Sequence, residues 1–545
     1  MMLITKARLS HLFVCLVLAA CCFSLSGCQD LLGDEVLDSG VIYCSEGSPV
    51  AFNPQLDVSG TTSDATAHQL YDRLLDFDPL SGTIVPGLAS SWLVSRDGLT
   101  YTFQLRKNVK FHKTDYFTPN RSFNADDVMF SINRWRVASH PFHQVSGGHY
   151  PYFTSLGLND IIDKVIRVNG YRVIIKLNRP DSSFLANLAT DFAVILSAEY
   201  GNQLAKADQK DNIDQKPIGT GPFQFVDYRK DRFIRYKKHQ RYWKHPHAPE
   251  NLVFDITSSS SLRLAKLMTG ECDAIAFPAQ SELNIIEQRE DLRLDVKPGL
   301  NVGFWAFNTA KPPFDNPQVR QALAMAIDRS TILEAVYLGS AEQAKGLLPQ
   351  SSWAYQATLK NTNYNPVLAK KLLQDNGVEE GFIMNIWAMP VERAYNPNAR
   401  KMAELMKSYL QEVGLTVNIV SYEWGTFRQR LRQGLHDSVL IGWSADNGDP
   451  DNFYRPLLTC SAIESGTNRA MWCSPAYDEL INQALKYSDI EERSLYYHKA
   501  NQLLLQEMPL VPIANAFRYQ AYRKELKGLT INPFGGIRFG DVEKQ

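Results

Sequence analysis

The sequence predicts a mixed α/β fold divided into about two to four domains, on three observations. Residues 40–290 hold short alternating strands broken by Gly, Pro and Asp-Gly turns, helical periodicity takes over from about residue 300, and 381–445 read strand, helix, strand, helix, strand. With 545 residues, 44% hydrophobic and 21% charged, the chain can bury cores of this kind, which excludes a disordered polymer and a small disulfide scaffold. Its 57 Lys plus Arg against 58 Asp plus Glu leave no basic surplus to release phosphate counterions, so no nucleic-acid partner is expected.

At the N-terminus, Lys6 and Arg8 precede apolar or small residues up to Gly27. That run is too short for a membrane span and ends in small residues, so 1–27 reads as a secretory signal. Leu25-Ser26-Gly27-Cys28 has the form of a lipobox, which would place lipid on Cys28, with 28–39 as a tether. Leu18-Ala19-Ala20-Cys21 fits the same pattern, but a cut there leaves Phe23-Ser24-Leu25 as an apolar stub. Cys44, Cys272, Cys460 and Cys473 then remain in an exported chain, and three pairings are open to them. A Cys460–Cys473 bond would close a short loop, contributing about 3 kcal/mol. Cys44 and Cys272 would then join distant segments of one domain.

In the body, Thr100–Leu105 and Tyr171–Leu177 alternate as strands. Asn124 caps a helix whose first turn carries Asp126 and Asp127, adjacent acids that suit the helix dipole better than paired acid–base work. Asn316-Pro317 opens a helix with Val319, Ala322, Leu323, Ala326 and Ile327 on one face, and Asn365-Pro366 opens another that stops at Gly377. Phe382–Trp387 is a strand, and Met402, Leu405, Met406, Tyr409, Leu410 and Val413 form a helical stripe ended by Gly414. Strand 415–420, a short helix 425–433 and the buried strand 439–443 complete a βαβαβ pattern and predict a largely parallel sheet.

Ligands of such sheets sit beyond the carboxyl ends of the strands. The loops there carry Arg393 and Asp446. A guanidinium grips a carboxylate in bidentate fashion and an aspartate accepts the hydrogen bonds of an ammonium, so the two suit a zwitterion. The alternatives are solvated loop charges or a mutual ion pair.

His140, His143 and His149, and the pair His245 and His247, gather imidazoles, but no Cys or Glu completes a ligand spacing and no metal site is expected. Nucleophile-elbow, zinc-protease and phosphate-loop motifs are missing, and Pro222 spoils Gly219-Thr220-Gly221 as a phosphate cradle, so neither enzyme activity nor a cofactor is expected.

Pro217-Ile-Gly-Thr-Gly-Pro-Phe223, Asn124-Ala-Asp-Asp-Val128 and the stretch Trp92–Phe103 resemble family 5 solute-binding proteins of ABC importers, the peptide- and nickel-binding group. Tyr43–Pro49, Phe52–Leu56, Trp387–Pro390, Tyr395–Arg400 and Asp446–Phe453 resemble its dipeptide-binding members. Lys113–Pro119, Thr269–Asp273, Phe307–Pro313, Arg455–Leu458 and Gln520–Arg523 resemble its SapA-like branch.

The resemblance, from about residue 40 to 540, implies a type II periplasmic binding protein of two lobes with an extra inserted domain. Lobe I would take 40–72, 206–291 and 516–545, the inserted domain 73–205, and lobe III, with the main ligand contacts, 292–515. It also implies a Cys44–Cys272 bond within lobe I and a Cys460–Cys473 bond beside the Asp446 loop. Arg393 falls where a peptide carboxylate is gripped and Asp446 where the ammonium is received. Trp443, Ser444, Ala445, Ala394 and Tyr395 would line the site, with backbone contacts from Val58, Ser59 and Gly60; Val58 and Ala394 replace the threonine and proline of the pattern.

The partners implied are a short peptide, an inner-membrane ABC permease and a membrane reached through lipid on Cys28, for a monomeric receptor in the periplasm. A peptide meeting both Arg393 and Asp446 spans only about two or three residues at ~3.3–3.6 Å each. The SapA-like motifs carry a second expectation, capture of haem or antimicrobial peptides. A secreted hydrolase is the least supported reading.

Overall fold

The computed structural model describes residues 40–78, 82–244, 247–360, 362–532 and 534–545. The signal, Cys28, the tether and His245 lie outside them.

The strands Thr100–Leu105 and Arg172–Leu177 form where alternation predicts them, paired antiparallel with Tyr101 opposite Ile175 and Phe103 opposite Val173. Ala89–Val94 and Ile162–Asn169 complete this four-stranded sheet. Ala125–Arg136 packs on it, and its start is held by a reciprocal cap: Asp126 N–H donates to Asn124 Oδ1 (2.8 Å) and Asn124 N–H to Asp127 Oδ2 (2.9 Å). Asp127 also binds Arg121 (2.7 Å) and the Ala198 amide (2.8 Å), so this carboxylate is wholly structural.

The βαβαβ region folds as read. Ile383–Ala388 pairs in parallel with Thr416–Val420 on one side and Ser438–Ser444 on the other. The helix Ala399–Glu412 buries Met402, Met406 and Leu410, and the chain reverses at Gly414, whose φ of 91° favours glycine. The expected parallel sheet extends over these strands only, because Asn301–Phe307 runs antiparallel beside Ser438–Ser444. That partner comes from over a hundred residues upstream, and no local periodicity announces it.

These strands belong to a twelve-stranded sheet. One strand, Leu510–Arg523, carries it across the molecule. Its first half pairs with Asn301–Phe307 and Ala341–Gln343, its second with Leu292–Pro298 and Ala274–Ile275. Separate apolar cores lie on either side, one holding Tyr43, Phe103 and Phe254, the other Trp305, Met406 and Tyr497. Two lobes therefore share a strand.

At the crossing, Asn301 Nδ2 donates to the Ala516 carbonyl (2.8 Å), the Ala516 amide donates to Asn301 Oδ1 (2.9 Å), and Asn515 Nδ2 donates to the Asn301 carbonyl (2.7 Å). A Cβ on Gly299 would lie 2.0 Å from Asn301 Nδ2 and 2.4 Å from the Ala516 oxygen, so only glycine fits beside this clasp. Disulfides join Cys44 to Cys272 and Cys460 to Cys473. The first sits in a small third core with Leu264, Leu267 and Ile286.

Candidate ligand site

A cavity of about 150 Å³ lies between the lobes. Val58, Ser59 and Gly60 form part of one wall, with Arg393, Ala394, Tyr395, Trp443, Ser444 and Asp446 opposite. Ala445 alone of the expected residues is not in the wall: it is fully buried and its amide donates to the Leu300 carbonyl (2.7 Å).

The Arg393 loop is seated by two glycines. Gly303 and Gly442 face each other across adjoining strands. A Cβ on Gly442 would fall 2.4 Å from the Tyr395 ring, and one on Gly303 would fall 2.3 Å from the Tyr395 carbonyl oxygen. Removing both side chains opens a trough for Tyr395, whose carbonyl accepts from the Tyr337 hydroxyl (2.8 Å). Arg393 and Asn396 exchange backbone hydrogen bonds of 3.1 and 3.0 Å, which turns the chain tightly.

Arg393 is 8% exposed. Its guanidinium pairs across the cleft with Glu46 (3.3 Å) and lies 5.5 Å from the centre of the Trp424 ring. The mutual Arg393–Asp446 pair that the sequence left open does not form.

Asp446 is held by Asn452, whose Oδ1 accepts from both the Asp446 amide (2.9 Å) and Trp443 Nε1 (3.1 Å). Its own Oδ2 is buried and meets no hydrogen-bond donor among the described residues. Burial, and then the charge of Asp191, push the Asp446 carboxyl well above its ordinary range despite Asn452. A buried unpaired acceptor on a cavity wall is costly unless a cation arrives.

The cavity brings in residues that sequence reasoning missed: Asp64, Asp191, Arg428, Arg469 and Arg518. Burial, then Glu46, raise Asp64 to about 8, with Arg518 and Arg393 opposing. Asp191 instead stays below the usual range, burial being outweighed by His68 (2.9 Å) and Arg73. Arg469 lies inside the Cys460–Cys473 loop, the one signal that singled out its neighbourhood. Asp446 thus owes its position to Asn452, whereas the stapled loop carries Thr467 and Arg469 into the wall.

His140 and His143 are occupied in packing, and the exposed His247 meets Glu543 (2.7 Å). His143 Nδ1 lies 2.7 Å from the Arg134 carbonyl, and His140 sits edge-on to Phe130 at 5.0 Å. Among the described residues no group of three or more His, Cys, Asp or Glu could hold a metal ion, and no helix is long and apolar enough to cross a membrane.

A cleft between two lobes that share a strand, with charged groups turned into it, defines a hinged binding protein. The model for "Bacterial extracellular solute-binding proteins, family 5 Middle" matches residues 83–465, and the chain belongs to that family, a family of solute-binding proteins and not of enzymes. The dipeptide-binding protein of Escherichia coli (strain K12) is 44% identical over 502 residues, covering 92% of this chain and 94% of its own. The peptide transport periplasmic protein SapA of Salmonella typhimurium (strain LT2) is 43% identical over 512 residues, covering 94% of this chain and 93% of its own. The crystal structure of a dipeptide-binding protein from Pseudoalteromonas sp. SM9913 in complex with Met-Leu is 49% identical, with a TM-score of 0.91 over 93% of this chain and 100% of that one.

Proposed function

We propose that the protein is the extracytoplasmic receptor of an ABC importer, closing on a short peptide and handing it to the permease. One observation carries this reading: a single cavity holds the shielded guanidinium of Arg393 and the buried carboxyl of Asp446, whose Oδ2 meets no donor among the described residues. The peptide's carboxylate engages Arg393 and its ammonium donates to Asp446, while the backbone at Val58–Gly60 meets the chain between. The dipeptide ligands named for the similar proteins support the same reading. Both ends being fixed, selectivity falls on length before sequence, at about two or three residues.

The lobe boundaries are proposed as 40–72, 206–291 and 516–545 for lobe I, 73–205 for the insertion and 292–515 for lobe III. The separate four-stranded sheet and the shared strand support them. Attachment through lipid on Cys28 is proposed from the lipobox; labelling with a radioactive fatty acid should vanish in Cys28→Ser.

Calorimetric titration with Met-Leu and N-acetyl-Met-Leu tests the clamp. Met-Leu should bind and the acetylated form should bind at least tenfold more weakly. Arg393→Ala and Asp446→Ala should each cost at least tenfold, at ~1.5–3 kcal/mol per charged hydrogen bond. Equal affinity for the two peptides, or no effect of either substitution, refutes it.

A further inference from the structure

We propose that the same cavity contains a second carboxylate-receiving corner, built on Arg469 beside Arg428, which makes the receptor favour peptides bearing an aspartate or glutamate side chain. This rests on the peptide reading above and deepens it.

Four guanidiniums reach the cavity wall: Arg393, Arg428, Arg469 and Arg518. Three have acids to answer them. Arg393 pairs with Glu46, Arg428 with Asp57, and Arg518 is opposed by Asp64 and Asp191. Arg469 has none among the described residues: the charges acting on it are the guanidiniums of Arg428 and Arg432, and the neighbouring Tyr395 phenol is kept neutral by its own burial. Asp57 cannot serve it, because that carboxylate is already committed to Arg428 and to the hydroxyls of Ser59 and Thr62.

Nη1 of Arg469 is buried and meets no acceptor among the described residues. Burial, followed by the two neighbouring guanidiniums, draws its pKa down to about 9. A cation so placed would ordinarily swing out to water, but its backbone is pinned. The Arg469 carbonyl lies 2.7 Å from His436 Nε2, the Ala470 carbonyl accepts from the Thr309 amide (2.9 Å), and the disulfide closes the loop around both. At Gly466 a Cβ would fall 2.5 Å from Arg432 Cγ, so a glycine there lets the helix Trp424–Arg432 close against the stapled loop and gather the guanidiniums.

Tyr395 lines the same cavity and feels the charges of Arg393, Arg469 and Arg428, so this corner and the terminal clamp are neighbours in one wall. A peptide gripped at both ends leaves its side chains to meet the rest of this wall, Arg469 included. A carboxylate there meets the unused Nη1 in a dry setting, where a charge-assisted bond is worth most. A carboxamide of the same shape offers one neutral oxygen and an amino group that the guanidiniums repel.

The experiment compares Ala-Glu with Ala-Gln and Glu-Ala with Gln-Ala by calorimetry at pH 7, in the native protein and in Arg469→Gln and Arg469→Lys. In the native protein Glu should exceed Gln by at least tenfold in one of the two positions. Arg469→Gln should bring that ratio to within threefold, and Arg469→Lys should retain most of it. The ratio is the readout, since a general loosening of the cavity weakens both peptides alike. Equal binding of Glu and Gln peptides by the native protein overturns the assignment, as does a preference that survives Arg469→Gln. If none of the peptides binds and Met-Leu fails too, the peptide reading falls and takes the corner with it; Met-Leu binding with a Glu-to-Gln ratio near one removes the corner alone.

Discussion

Asp446 and Asp64 are carboxyls kept from ionising freely by burial and by neighbouring acids. An arriving ammonium stabilises the charged form of Asp446, so binding should expel a proton wherever the empty site still holds one. Affinity should then rise with pH through the raised Asp446 pKa, until the peptide's own amine begins to lose its charge near ~7.7–8.0. Titrations in buffers of different ionisation enthalpy measure this, and a binding enthalpy indifferent to buffer would contradict it. For Asp64 the folded state retains a proton that the unfolded state has released, between about 4 and about 8. Stability contributed by this group is therefore greatest below that window and lost as pH rises through it. Asp64→Asn should flatten the thermal midpoint across pH 5–8. Arg393 and Asp446 were legible because they sit in loops at the carboxyl ends of recognisable strands. Asp64 and Arg469 were not, since what distinguishes them is the neighbours that folding supplies.

Among the elements, the stapled loop is the one whose role changes most between sequence and structure. The bond was expected beside the Asp446 loop, yet Asp446 is held by Asn452, on the helix Asp451–Leu458, and the disulfide closes the loop that carries Arg469. Replacing Cys460 and Cys473 together by serine should lower stability by about 3 kcal/mol by the chain-entropy estimate. It should also weaken glutamate peptides more than neutral ones, which paired thermal melts and titrations would reveal. The helix Ala399–Glu412 shows the opposite case. Its stripe and the glycine after it were local signals, and the element formed within a few residues of the reading. Single-residue troughs such as the Gly303 and Gly442 pair left no such mark, because a glycine inside a strand has many uses and only the arriving Tyr395 chooses among them.

Across the whole molecule, the two lobes meet through buried polar contacts as well as through the cavity. Arg455, on the helix after the Asp446 loop, reaches Asp181 (3.0 Å) and the Leu156 carbonyl (2.7 Å), and Asn447 Nδ2 donates to Asn187 (3.2 Å). All are buried, so the contacts belong to a closed arrangement. Arg455→Met would leave Asp181 and Asp451 without a counter-charge, at a cost of about 3–5 kcal/mol if the lobes stayed shut. Opening relieves that cost, so the variant should release peptide faster while its association rate changes little. Stopped-flow dissociation measures this directly; an unaltered off-rate would show that Arg455 does not help to hold the closed form. Rotation would be taken up at the shared strand, where the Asn301 clasp and Gly299 join the two halves.

By itself the sequence determined the α/β class, most of the strands and helices, the absence of familiar enzyme motifs and, by resemblance, the kind of receptor. Each of these is written in periodicity, capping residues or contiguous motifs, which act over a few residues. Only the tertiary structure decided that Asn301–Phe307 would run antiparallel beside Ser438–Ser444, that Glu46 would answer Arg393, and that Arg469 would meet no acid among the described residues. These depend on which distant groups folding places within a few ångströms of one another, and the energy of a buried charge is set by those neighbours.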